Sequence, residues 1–204
     1  REKIKECLKE IGIAFLFAPS LHPAMKNVMP ARKQIAGKTM FNILGPLINP
    51  ARATNQLIGV YSREWTAPLA QVLHNLGSRH VLVVHGADGL DELTTVDRSF
   101  VSEMNNGALK NYEITPEEFG LPPASEDNLK GGSIGENIRI FMDVLHGLKG
   151  PARDIVLLNS GCAIYAADKA GNIAEGVKLA AGLIDSGAAL KKLELLKEYS
   201  RKNG

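Results

Sequence analysis

Val81-Leu82-Val83-Val84-His85-Gly86 constrains the fold of this chain more than any other stretch, because four consecutive large aliphatic residues run straight into a glycine. Side chains along a strand alternate between faces, so an unbroken apolar run needs cover on both sides, the environment of a sheet with helices against it. The segments before it fit that setting. Residues 56–61, Gln-Leu-Ile-Gly-Val-Tyr, read as another strand, and residues 64–76 as a helix. Strand, helix, strand in that order predicts a right-handed parallel crossover.

Other elements follow from local signals. Ile4, Leu8 and Ile11 share one face of a charged helix that Gly12 ends, and Ile13-Ala14-Phe15-Leu16-Phe17 then reads as a buried strand. Residues 20–50 have a different texture. His22-Pro23 opens a short helix, Pro30 restarts one, and Thr39 caps a third from Met40 to Leu44 that Gly45-Pro46 stops. Residues 100–104 and 109–114 form a hairpin whose Asn106-Gly107 pair supplies positive φ angles, and Thr115-Pro116 starts a brief helix. Helical patterns cover 134–148, 152–167, 173–186 and 188–201. The second is apolar on nearly every side and is expected to be central. The fold class is therefore α/β, a central and mostly parallel sheet flanked by helices, with a helical excursion near the N-terminus. Hydrophobic residues make up 45% of 204, enough for one substantial core, so 1–204 is expected to form a single α/β domain with 20–50 as the excursion.

Charge and cysteine usage remove several function classes. A formal net charge of +2 is too small to draw a nucleic acid, so any phosphate chemistry must be local. Cys7 and Cys162 are far apart and lack metal-ligand spacing, which argues against a disulfide framework or a zinc site and fits a reducing cytoplasm. The apolar run at 13–17 is far too short to span a bilayer. Because Arg1 already lies in a helical pattern, the sequence is expected to be a fragment or a processed chain.

The loop after the apolar strand, Ala87-Asp88-Gly89-Leu90-Asp91-Glu92, holds three carboxylates within five positions. Ligands of α/β sheets gather where loops leave the carboxyl ends of strands. Adjacent Asp91 and Glu92 can surround one hard cation that keeps some waters and takes further oxygens from phosphates, which points to magnesium. Adjacent acids in loops are more commonly solvated or helix-capping, and local spacing leaves both readings open. Asp88 is expected to shape the loop. Gly131-Gly132-Ser133 before a helix reads as a turn in preference to a phosphate cradle, and Cys162 as inert on a buried helix.

Five segments occur together in order: His22-Pro23-Ala24-Met25-Lys26; Arg32; Phe41-Asn42-Ile43-Leu44-Gly45-Pro46-Leu47 with Asn49-Pro50; Gly89-Leu90-Asp91-Glu92; and Gly150-Pro151-Ala152-Arg153-Asp154. In sequence and spacing they resemble the anthranilate phosphoribosyltransferases, from about Ile4 to the last helix. The resemblance implies that Asp91 and Glu92 bind the Mg2+ that accompanies phosphoribosyl pyrophosphate. It further implies that Arg32 holds the anthranilate carboxylate, a task suited to a planar guanidinium, and that Gly45 and Pro46 border that substrate; His22, before a proline at a helix start, is a candidate to face the same substrate or to serve as a packed or capping residue. It also implies a homodimer for the complete enzyme, with residues 20–50 belonging to a small helical subdomain. The family's Gly-Thr-Gly-Gly-Asp loop and Lys-x-Gly-Asn-Arg segment do not occur here, so the chain is expected to be the C-terminal catalytic portion. Two alternatives remain: a pyrimidine nucleoside phosphorylase-like enzyme on the same architecture, or a non-catalytic fragment that needs an N-terminal partner.

Overall fold

The computed structural model describes residues 2–17, 21 and 42–203. In chain order the elements are α1 (Glu2–Ile11), α2 (Leu44–Leu47), β1 (Asn55–Gly59), α3 (Thr66–Asn75), β2 (His80–Gly86), β3 (Ser99–Asn105), β4 (Ala108–Ile114), α4 (Glu126–Leu129), α5 (Ile134–Leu145), α6 (Pro151–Ala166), α7 (Ile173–Asp185) and α8 (Ala188–Asn203). Single 3-10 turns lie at Arg63–Trp65 and Pro116–Phe119. The chain forms two compact units, one of Arg1–Arg52 with Ala189–Gly204 and one of Ala53–Ala188.

In the first unit α1 buries Cys7 and Ile11 and ends at Gly12. It meets α8 through the Tyr199 hydroxyl, which donates to the Lys3 carbonyl at 3.0 Å, and through the Lys192 ammonium, which donates to the Ile11 carbonyl. Two local expectations fail here. Residues 13–17 form no strand, and Phe15 (76% exposed) and Phe17 face solvent. A strand needs a neighbour to take its backbone groups, and among the described residues none pairs with this run. Gly45-Pro46 does not stop a helix; both lie within α2. The first turn of a helix has N–H groups without internal acceptors, so a proline there forfeits nothing.

The second unit is built on a four-stranded sheet in the order β1-β2-β3-β4. The expected parallel crossover is present, with β1 and β2 parallel and α3 between them in sequence. The sheet is mixed where the sequence suggested mostly parallel: β3 runs antiparallel to both β2 and β4. No helix intervenes between β2 and β4 to carry the chain back across the sheet, so each strand returns in the opposite direction. Asn106 and Gly107 turn the hairpin with φ of 48° and 87°, as its two-residue connection requires.

Val81, Leu82, Val83 and Val84 are all 0–1% exposed. Both faces of β2 are therefore covered, and α3 and α6 both pack against it. Leu157, Leu158, Cys162 and Ala166 bury the α6 stripe, which also meets β1, α5 and α7 and so holds the expected central position. The direction of α6 is set at its ends. Asn55, opening β1, donates to the Ala166 carbonyl at 2.7 Å, whereas Asn159 reaches the chain just beyond β2. The first turns of α6 thus lie towards the carboxyl edge of the strands. Among the described residues no helix is long and apolar enough to cross a membrane.

Candidate functional site

The chain leaves β2 at Gly86 and folds back on itself at once. The Gly86 amide donates to the Leu90 carbonyl at 2.9 Å, and the Gly89 amide to the Gly86 carbonyl at 2.9 Å. Asp88 shapes this loop, as its position suggested: Oδ1 accepts from the Leu90 amide at 3.2 Å and Oδ2 from the Thr94 hydroxyl at 2.6 Å. Thr94 in turn donates its amide to Ser99 Oγ at 2.9 Å. Leu93, Thr94 and Thr95 are fully buried. Asp91 and Glu92 are thus two exposed residues on a turn whose continuation is sunk in the protein.

Two distant elements fix the backbone of that turn. β1 ends at Gly59, where a Cβ atom would overlap the Asp91 carbonyl and come within 3.3 Å of the Glu92 nitrogen. Only a residue without a side chain lets β1 and the turn approach so closely. From α6, the Asn159 amide takes both backbone groups of Leu93: its Oδ1 accepts from the Leu93 amide at 3.1 Å and its Nδ2 donates to the Leu93 carbonyl at 2.8 Å.

Neither Asp91 nor Glu92 has an ion pair or side-chain hydrogen bond recorded among the described residues. Desolvation first, and the neighbouring Asp91 charge second, hold the Glu92 carboxyl above the usual glutamate range. Two adjacent carboxylates with no cationic partner among the described residues, one of them raised in part by the other's charge, suit a bound cation. No group of three or more His, Cys, Asp or Glu able to hold a metal exists among the described residues. The donor set therefore fits magnesium, which takes one or two carboxylates and fills its octahedron with water and phosphate oxygens, and does not fit a fully enclosed protein site.

The structure brings Asp91 and Glu92 together. Gly45 and Pro46 belong to the other unit, in α2. Arg32 and His22 lie outside the described residues. The Gly150–Asp154 segment opens α6, where buried Arg153 donates to Asp185 Oδ1 at 2.6 Å and ties α6 to α7. Gly131-Gly132-Ser133 is a helix start closed on itself: Glu136 accepts from the Ser133 amide at 2.7 Å and Asn137 from the Gly132 amide at 2.9 Å. The Gly132, Ser133 and Glu136 amides are thus taken up within the turn. Cys162 is fully buried and its thiol is pushed up to about 12, mainly by burial and then by the Glu103 charge, so it is unreactive. His85 Nδ1 donates to the Val60 carbonyl at 2.8 Å, and its ring stacks on Phe100.

Sequence reasoning missed a buried polar network at the opposite edge of the sheet. His80 Nδ1 meets Asp168 Oδ1 at 2.8 Å and its Nε2 meets Glu103 Oε1 at 3.1 Å. Glu103 also accepts from Tyr165 at 2.7 Å and Tyr112 at 2.9 Å. Burial first, then Glu103, raises both phenols, Tyr165 to about 12. The available signal was Glu103 itself, a charge between Val101 and Met104 in the strand Ser99–Asn105, which a buried position obliges to find partners. A cavity of about 730 Å³ along β3 and β4, bordered by Arg63, Phe100, Asn111 and Glu113, includes neither Asp91 nor Glu92.

Known proteins resemble this chain in sequence and in fold. A protein of Rhodopseudomonas palustris (strain TIE-1) named anthranilate phosphoribosyltransferase is 51% identical over 195 residues, covering 96% of this chain and 58% of that protein. One of the same name from Symbiobacterium thermophilum is 48% identical over 201 residues, covering 98% and 59%. The chain thus spans somewhat over half the length of these relatives. The crystal structure of anthranilate phosphoribosyltransferase from Thermus thermophilus superposes with a TM-score of 0.87 at 42% identity, covering 97% of this chain and 57% of that one. The Saccharomyces cerevisiae enzyme in complex with PRPP and Mg superposes with a TM-score of 0.78 at 30% identity, covering 89% and 52%. Residues 1–190 match the pattern of a single family, and the chain belongs to the glycosyl transferase family, a/b domain.

Proposed function

We propose that this chain is the C-terminal catalytic portion of an enzyme that transfers the phosphoribosyl group of phosphoribosyl pyrophosphate to anthranilate, a step of tryptophan biosynthesis. The observation that carries the reading is the exposed Asp91-Glu92 pair, recorded without an ion pair among the described residues and pinned at the carboxyl edge of β2. The names of the relatives point the same way and lend less support to a pyrimidine nucleoside phosphorylase.

In this reading Asp91 and Glu92 present hard oxygen donors to magnesium. When bound there, the metal supplies charge neutralisation on the departing pyrophosphate. Arg32 holds the anthranilate carboxylate through a two-pronged contact, with His22, Gly45 and Pro46 bordering the ring. An aniline nitrogen is already nucleophilic, so the site needs position and charge complementarity more than a strong base. Residues 1–204 serve as the α/β catalytic domain, with 20–50 contributing to a small helical subdomain. The complete protein works as a cytoplasmic homodimer.

Anthranilate fluorescence reports the reaction directly. Consumption that requires phosphoribosyl pyrophosphate and Mg2+ is expected for the chain alone, or after mixing it with the upstream portion of a relative. The combined Asp91→Ala and Glu92→Ala variant should reduce turnover and the response to Mg2+. Absence of consumption in both preparations, or a double variant with unchanged magnesium dependence, rejects the proposal. Activity only in the mixture identifies a chain that needs an N-terminal partner.

A further inference from the structure

Taking Asp91 and Glu92 as the metal pair, we propose that Asn159 is the positioning residue for that pair: a side chain on α6 that fixes the backbone immediately after Glu92 and so sets where both carboxylates point. Carboxylates on neighbouring residues of an exposed turn converge on one ion only if the turn has one conformation. Before the pair, the Gly86–Leu90 bond and Asp88 supply that constraint. After it, Leu93 is buried and belongs to no strand, so its amide and carbonyl have no sheet partner. Asn159 satisfies both, as a strand neighbour would, at 3.1 and 2.8 Å. Its Nδ2 also donates to the Ile155 carbonyl one turn back at 3.0 Å, which holds the amide in one orientation.

The residue type itself needs explanation. Asparagine is unfavourable inside a helix, and Asn159 follows Ile155-Val156-Leu157-Leu158 in the middle of a 16-residue one. An alanine or leucine there would serve the helix better. A side chain that grips the turn carrying the metal pair accounts for the exception, and Gly59 admits the same turn from the side of β1.

The test uses Mn2+ alone as the probe and the full chain labelled with nitrogen-15. Paramagnetic broadening of amide signals locates the ion without requiring turnover. Signals of Asp91 and Glu92 should broaden first in the wild type and lose this priority in the Asp91→Ala, Glu92→Ala double variant. In Asn159→Ala the Mn2+ concentration for half-broadening should rise about ten-fold, the lower end of what removing an outer partner of a metal ligand does. Asn159→Leu, which keeps the branched shape without the amide, carries the same test if the alanine variant does not fold. A purely structural role would lower the melting temperature of either variant and leave its Mn2+ midpoint at the wild-type value. That result, alongside a silent double variant, overturns the role of Asn159 and leaves the metal pair standing. A wild type without local broadening, or a double variant that broadens equally, overturns both.

Discussion

Gly59→Ala tests the closeness of β1 to the Asp91-Glu92 turn. The added methyl would begin inside the Asp91 carbonyl, and a normal contact near 3.5 Å requires that group to retreat by about 2 Å. The turn has no slack on its far side, because Leu93 is buried and gripped by Asn159 at 3.1 and 2.8 Å. Overpacking strain of about 1–3 kcal/mol adds to two hydrogen bonds worth roughly 0.5–1.5 kcal/mol each. The sum is about 2–6 kcal/mol, a fall in Tm of roughly 4–24 °C for a chain of this size. Gly182→Ala provides the control. It makes the same chemical change inside α7, where the new methyl meets nothing within 4 Å, and it should stabilise by about 0.5–1 kcal/mol. Thermal and urea denaturation followed by circular dichroism read both. A Gly59→Ala protein that melts within a degree or two of the wild type would refute the argument, since β1 and the turn would then not be in contact.

Further predictions concern the buried network and pH. Glu103→Ala deprives Tyr112, Tyr165 and His80 of a shared acceptor and should cost about 3–5 kcal/mol by urea titration, against about 1–2 kcal/mol for Tyr165→Phe, which removes a single donor. The His80 hydrogen bond first, then Asn55 and Arg79, hold the Asp168 carboxyl below its ordinary value. The stability it contributes is present above the unfolded aspartate value of about 3.9 and is lost as pH falls through the lower folded value. Urea midpoints between pH 6 and 2 should therefore decline less steeply for Asp168→Asn; equal slopes would count against the contact. Glu92 has the opposite displacement, raised by desolvation and Asp91, so protons compete with a cation above the normal glutamate range. Mn2+ affinity should weaken as pH falls into that raised range, and Asp91→Asn should shift the loss to lower pH. Gly107→Ala places a side chain at φ 87° and should cost about 1 kcal/mol.

What the sequence disclosed depended on whether a residue's reason lay in its neighbours or in a distant partner. Val81 to Val84 need apolar cover on both faces, and Asn106-Gly107 need positive φ; both requirements are local, and both predicted the observed elements. Asp91 and Glu92 were visible as a pair at a strand exit, although spacing alone did not separate a ligand pair from solvated charge. Their mechanical support was not visible. Gly59 reads as an ordinary strand glycine until the Asp91 carbonyl is seen against it, and Asn159 as a polar interruption until Leu93, 66 residues earlier, is found in its grip. Ile13 to Phe17 reads as a strand because apolarity is local, but a strand also needs a partner, which no local pattern can guarantee. The same logic explains His80, which has no meaning within its own segment and acquires one only between Glu103 and Asp168. A polar residue set beside large apolar neighbours, as Glu103 is before Met104 and Asn159 after Leu158, is therefore the sequence signal worth following: burial forces it to find a partner, and for Asn159 that partner is the turn that presents Asp91 and Glu92.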